Sequence, residues 1–246
     1  MNADLKPGER IEDLQYKGLR IIQGEKGFRF GTDSVLLASF VTGGASDRII
    51  DLGAGSGVIA ILLQGRLGAR LTAVELQPGG CDMARRSVKM NGQDIEVIEG
   101  DMRAMADALG CGAFDSAVCN PPYHRTASGK VSQKGEPGYE GAATHETECT
   151  LAEVAKSASR LIKYGGKFFM CCPASRLSEA FCALTSERLE PKRVRLVAAR
   201  ADKPPYLALI EAKKGAAPGL QIEDRLIIMK ADGSFTEELD RIYHRI

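Results

Sequence analysis

The chain has 246 residues, enough for one large α/β domain with a real hydrophobic core. Its 33 basic and 32 acidic residues leave a net charge of +1, so any attraction for a polyanion must come from a local patch. Hydrophobic residues at 44% and charged residues at 26% fit an ordinary globular composition, which excludes a disordered or fibrous chain. The opening residues hold no basic-then-apolar leader and no run of about 18 apolar residues occurs, so neither secretion nor a membrane span is expected. Seven cysteines and three scattered histidines, without a CxxC pair, argue against a disulfide or metal framework. They read as reduced core thiols of a cytoplasmic protein.

The first twelve residues are polar and expected to be loosely held. From Leu14 to Phe30, two strand-like runs flank Gln23-Gly24-Glu25-Lys26-Gly27, which predicts a hairpin over that loop. Gly31-Thr32-Asp33 then leads into an apolar helix over Ser34–Phe40, with Thr32 or Asp33 as its cap. Arg48–Leu52 predicts the first core strand. It runs into Gly53-Ala54-Gly55-Ser56-Gly57 and an apolar helix to about Leu67. Glycines at this spacing permit a tight turn and a close approach of a ligand to the helix N-terminus. The next strand, Arg70–Glu75, ends in an acid, where nucleoside-binding sheets hold a ribose diol. A third strand, Ile95–Glu99, precedes Gly100-Asp101-Met102.

Phe114–Cys119 is a short apolar run that ends in Asn120-Pro121-Pro122-Tyr123. Prolines cannot continue a strand ladder, so the run reads as a buried parallel strand presenting Asn120 at its carboxyl end. Residues 124–144 are glycine-rich and poor in apolar side chains, and predict a long loop. His145-Glu146 is expected to open a helix to about Lys163, stopped by Tyr164-Gly165-Gly166. A strand over Lys167–Cys172, a helix over Ser175–Glu187 and a final pair, Arg193–Ala199 with Tyr206–Lys213, complete the core. Lys192, Arg193, Arg195, Arg200 and Lys203, opposed locally only by Asp202, form a basic cluster. It is either a grip for phosphates or a strand edge guarded by charge. A strand-like Leu226–Met229 and a helix over Thr236–Tyr243 end the chain. The expected organisation is one domain over 1–246, with a hairpin and helix at 14–41, a core at 48–213 and a short extension at 215–246.

Asn120-Pro121-Pro122-Tyr123 resembles the signature of S-adenosylmethionine-dependent methyltransferases that act on an exocyclic or amide nitrogen, and such a nitrogen is a poor nucleophile because its lone pair is delocalised. The Asn120 side-chain oxygen and the Pro121 carbonyl would accept hydrogen bonds from both N–H groups and aim the lone pair at an incoming methyl. No strong base is needed, since the amine becomes acidic once methylated, so the chemistry is positioning plus electrostatics. Tyr123 adds a flat face for stacking on a planar group.

The order Asp51-Leu52-Gly53-Ala54-Gly55-Ser56-Gly57, Glu75, Asp101, Asn120-Pro121-Pro122-Tyr123 resembles the class I S-adenosylmethionine-dependent methyltransferases that act on amino groups. The likeness implies a Rossmann-like, mostly parallel doubly wound sheet with an antiparallel last strand, plus the N-terminal hairpin. Residues 27–38, His145-Glu146, Cys149-Thr150-Leu151, Glu190-Pro191-Lys192-Arg193 and Asp232–Thr236 further resemble the bacterial tRNA-valine family that methylates adenine 37 at N6.

That resemblance implies S-adenosylmethionine as cofactor, S-adenosylhomocysteine as product, no metal, a tRNA partner and no obligate protein partner. It implies that Gly53, Gly55 and Gly57 line the methionine part, with Asp51 near its ammonium. Glu75 would hold the ribose, and Asp101 with Met102 would cover the adenine. Ala54, Leu76 and Asn120 complete the expected cofactor set, and Asn120, Pro121, Pro122 and Tyr123 form the catalytic set. Three rivals remain at the level of sequence: glutamine N5-methylation of a release factor, amino methylation of another RNA or DNA, and an inactive cofactor- or RNA-binding module. The first is disfavoured because the known glutamine enzymes carry a helical N-terminal domain. Adenine methylation of DNA is disfavoured because those enzymes usually carry a sizeable target-recognition region. The intact acids and complete Asn-Pro-Pro-Tyr motif count against the third.

Overall fold

The strand Arg48–Leu52 (β3) lies in the middle of a nine-stranded sheet because its Ile49, Ile50 and Leu52 are fully buried on alternating faces. The computed structural model describes residues 5–24, 31–121 and 149–244. On one side of β3 lie β4 (Arg70–Glu75) and then β5 (Ile95–Glu99), both parallel to it. On the other side lie β6 (Phe114–Cys119) and β7 (Ile162–Pro173), again parallel. Next to β7 comes β9 (Leu207–Lys214), antiparallel, with β8 (Leu189–Ala198) outside it. Two short strands, β10 (Gln221–Ile222) and β11 (Leu226–Ile227), pair successively along the outer edge of β8. The expected sheet with its antiparallel last strand is therefore present.

Strand order reverses between β3 and β6, and such a switch point opens a crevice at the carboxyl ends of the strands. Asp51 stands opposite Val118 in the register, so Gly53 and Asn120 leave the sheet side by side. On one face the core gathers α1 (Thr32–Phe40) and α2 (Val58–Leu67) with residues of the N-terminal hairpin and of α7 (Glu237–Ile242). The other face is covered by α4 (Met105–Leu109), α5 (Leu151–Leu161) and α6 (Leu177–Ser186). Pro78–Met90 forms α3, a helix that sequence reading did not single out. It packs between β5 and the hairpin, with Cys81, Ala84 and Val88 buried.

The hairpin differs from expectation in its position. Its strands are β1 (Glu9–Asp13) and β2 (Arg20–Gly24), with the turn at residues 14–19, and residues 25–30 lie outside the described set. The turn closes through Leu14 N–H to Leu19 O at 2.9 Å and Leu19 N–H to Tyr16 O at 2.8 Å. The charged strand β1 is ordered by contacts remote in sequence, since Arg86 of α3 binds both oxygens of Glu9. That is why the opening residues look unheld when read alone.

Helix ends also move. At the start of α1 the N-cap is Gly31, without a side-chain cap, and Thr32 and Asp33 fall inside the first turn. Thr150 begins α5 through a reciprocal capping box with Glu153, while the expected start at residues 145–146 lies outside the described set. Tyr164-Gly165-Gly166 is not a helix stop but part of β7, which follows α5 directly. The reason is a bulge. The register passes from Phe114 opposite Ile162 to Ser116 opposite Lys167, and a Cβ on Gly166 would lie 2.8 Å from the carbonyls of both Asp115 and Lys163.

Candidate active site at the carboxyl edge of the sheet

The turn after β3 is built by three glycines in the left-handed region, Gly53, Gly55 and Gly57, with φ of +72°, +56° and +91°. L side chains are strained there, which explains the spacing. The N–H groups of Gly53 and Ala54 donate to Val74 O at 2.9 and 3.0 Å, tying the turn to β4. Glu75 takes Gly55 N–H on Oε2 at 2.7 Å and Gln77 N–H on Oε1 at 2.8 Å, so its carboxylate is fixed beside the turn. Leu76 follows it, 38% exposed. The Met102 methyl lies 3.3 Å from where a Cβ on Gly53 would stand, so this side chain closes over the turn.

Asp51 is 1% exposed. Its Oδ2 accepts the Ala60 N–H at 3.2 Å, and its Oδ1 has no partner among the described residues. Burial raises its pKa to about 7, helped by the charge of Glu75 and opposed by the Ala60 hydrogen bond. A buried acceptor without a donor costs roughly 1–3 kcal/mol. An ammonium brought to this turn would supply the missing donor, so the residues fit the amino-acid end of S-adenosylmethionine. Gln23, which sequence reading placed in the hairpin loop, instead lies in β2 and is also nearly fully buried. It donates from Nε2 to Ser56 Oγ at 3.4 Å and has no partner for its own Oε1 among the described residues. The only sequence signal was a polar residue in an otherwise apolar run. Asp101 is engaged by the Arg103 guanidinium, which holds its carboxyl below the usual range and also reaches Glu153 at 3.2 Å.

Asn120 stands beyond the end of β6, next to buried Pro121. Its Nδ2 donates to Ser34 Oγ at 2.9 Å, and its Oδ1 accepts from the Cys171 thiol at 3.1 Å. Neither partner was singled out from sequence, because Ser34 is 86 positions away and Cys171 is 51. Pro122, Tyr123 and the loop 124–144 lie outside the described residues. On the same edge Tyr206 is 42% exposed, and its phenol is pushed up to about 12 by burial and by Asp33, Tyr243 and Cys171. Burial likewise raises the pKa of Asp33.

The basic cluster is not opposed by Asp202 alone. Arg193 stacks on Phe40 at 3.9 Å and binds Glu211 and Glu223, each at 3.0 Å. Arg195 pairs with Glu238 at 2.6 Å, and Arg200 binds Asp202. Lys192 donates to Ala217 O at 3.0 Å, while Lys203 is exposed. These carboxylates arrive from β9 and the tail, which no local reading of residues 192–203 includes.

A family model described as the methyltransferase small domain matches residues 25–134. A curated relative from Serratia proteamaculans, named tRNA1(Val) (adenine(37)-N6)-methyltransferase, is 30% identical over 220 residues, covering 87% of this chain and 81% of its own. The chain belongs to this methyltransferase family. Another member, from Bacteroides fragilis and of the same name, is 28% identical over 199 residues, covering 80% of this chain and 82% of its own. Among solved structures, a predicted O-methyltransferase from Agrobacterium tumefaciens superposes with a TM-score of 0.70 at 25% identity, over 86% of this chain and 95% of that one. This member of the family is thus an S-adenosylmethionine-dependent N-methyltransferase of class I fold.

Proposed function

We propose that the protein methylates N6 of an adenine in tRNA, and that by resemblance to its relatives the target is adenine 37 of tRNA-valine. The observation that supports this is the Asn120 amide, fixed from two sides at the carboxyl end of β6 and emerging beside the glycine turn. Bound S-adenosylmethionine supplies an electrophilic methyl group. Asn120 Oδ1 and the Pro121 carbonyl take the two N–H groups of the adenine amine and turn its lone pair toward that methyl. The proton released by the methylated amine passes to water, so no side chain has to act as a strong base. Extruding a loop base costs a few kcal/mol. Stacking on an aromatic face, the role read from sequence for Tyr123, returns roughly 1–3 kcal/mol.

The test is a methyl-transfer assay with labelled S-adenosylmethionine, offering unmodified tRNA, release factor and duplex DNA in parallel. N6-methyladenosine is expected in tRNA alone, and Asn120→Ala is expected to lower the rate by about 100-fold or more. Label in release factor alone would move the acceptor to a glutamine amide, and an undiminished rate in the variant would remove Asn120 from the chemistry.

A further inference from the structure

We infer that Gln23 of the N-terminal hairpin binds the amino-acid end of S-adenosylmethionine, through the end of its side-chain amide that meets no protein group. The inference concerns the cofactor and not the acceptor, so it stands whichever nucleophile is methylated. Gln23 is 2% exposed, and its amide meets Ser56 Oγ at 3.4 Å while Oε1 has no donor among the described residues. A buried amide with one end unmatched costs stability, and a bound ligand is one way to offset that cost. The Ser56 hydroxyl can donate or accept, so it satisfies whichever end of the amide faces it. In either orientation the opposite end is left without a mate.

Ser56 belongs to the glycine turn after β3 and lies just ahead of α2. Asp51 reaches the first turn of the same helix through the Ala60 N–H, and its Oδ1 likewise has no partner among the described residues. Two buried and unmatched acceptors thus border one turn. An ammonium carries three donors, enough for Asp51 Oδ1 and Gln23 Oε1 together. With the amide rotated by half a turn, Nε2 would donate instead to the carboxylate of the same amino-acid group. The strand that carries Gln23 is held from α3. Ile22 N–H donates to Ser87 Oγ at 2.9 Å, and Asn91, at the end of that helix, accepts the Arg20 N–H at 2.9 Å and donates to the Arg20 carbonyl at 2.6 Å. Helix α3 also abuts the glycine turn, since a Cβ on Gly57 would stand 3.3 Å from the Ala84 Cβ. One helix therefore fixes both β2 and the turn, which sets the Gln23 amide in place before the cofactor arrives.

The test compares Gln23→Met with wild-type protein by calorimetric titration of two ligands, S-adenosylhomocysteine and 5′-methylthioadenosine. The second keeps the adenine, the ribose and the sulfur but lacks the amino-acid group. Methionine has a similar length and no amide, so the unliganded variant should melt at the wild-type temperature or above it. Its Kd for S-adenosylhomocysteine is expected to rise about tenfold, the order of loss for one hydrogen bond to a charged group. Its Kd for 5′-methylthioadenosine should stay within about twofold, because that ligand has no group for Gln23 to bind. An unchanged Kd for S-adenosylhomocysteine would overturn the inference. So would an equal loss for both ligands, or a lower melting temperature of the unliganded variant, since either would make Gln23 a brace for the turn. No methyl acceptor enters these titrations, so a wrong tRNA assignment would leave their outcome unaffected.

Discussion

At Asp51 the chain buries a carboxyl group with one oxygen bonded to a backbone N–H and the other without a donor among the described residues. Its folded pKa of about 7 lies above the unfolded value, so between about pH 4 and about pH 7 the native state holds the extra proton. This group's contribution to stability is full below about pH 4 and is lost as pH rises through about 7. Asp51→Asn should therefore stabilise the cofactor-free protein at about pH 8, by at most about 4 kcal/mol, and should make little difference near pH 4. Urea unfolding at the two pH values measures the gap. A cation beside Oδ1 favours the ionised form. Affinity for S-adenosylhomocysteine should accordingly rise between about pH 6 and about pH 8 in wild type and stay flat in the variant, as read by calorimetric titration. The presence and place of this acid were legible from sequence. Its protonation was not, because burial and the nearness of Glu75 appear only when β3 and β4 lie side by side.

At the scale of elements, the glycine turn after β3 depends on how closely α3 approaches it. A Cβ on Gly80 would stand 2.9 Å from Glu75 Cγ and 3.2 Å from Gly55 O. Gly80→Ala should displace the Glu75 side chain and weaken S-adenosylhomocysteine binding about tenfold, equal to about 1.4 kcal/mol, with the circular dichroism spectrum unchanged. The capping box of α5 makes a separate prediction. Thr150→Ala removes the acceptor for Glu153 N–H and should lower stability by about 1 kcal/mol in denaturant melts without altering cofactor affinity. Sequence placed most core strands within a few residues, because alternating or continuous apolar runs are local signals. It misplaced the hairpin turn and the α5-to-β7 junction, where a remote ion pair and a bulge decide the backbone path.

Over the whole molecule, all seven cysteines are free thiols, and burial divides them. Cys111 and Cys182 are exposed, Cys149 is half-buried with a pKa pushed up to about 11 by burial, and Cys81, Cys119, Cys171 and Cys172 are buried. Alkylation of native protein followed by mass spectrometry should label Cys111 and Cys182 first, Cys149 slowly, and the other four only after unfolding. Fast labelling of Cys171 would mean that the edge around Asn120 opens more than its packing indicates. The N-terminal hairpin belongs to this scale as well. Its salt bridge from Glu9 to Arg86 anchors β1 on α3, and the Gln23 contact to Ser56 brings β2 to the glycine turn after β3.

The sequence by itself determined the sheet, the glycine turn with its acids, and the Asn-Pro edge, because apolar periodicity, φ-permissive glycines and strand-ending prolines act within a few residues of one another. Tertiary structure alone decided what those groups meet. It gave Asn120 its partners Ser34 and Cys171, matched Arg193 and Arg195 with acids from β9 and the tail, and buried Asp51 with an empty acceptor. Hydrogen bonds and desolvation depend on distances between side chains, and those distances are set only when segments remote in the chain pack against the same sheet.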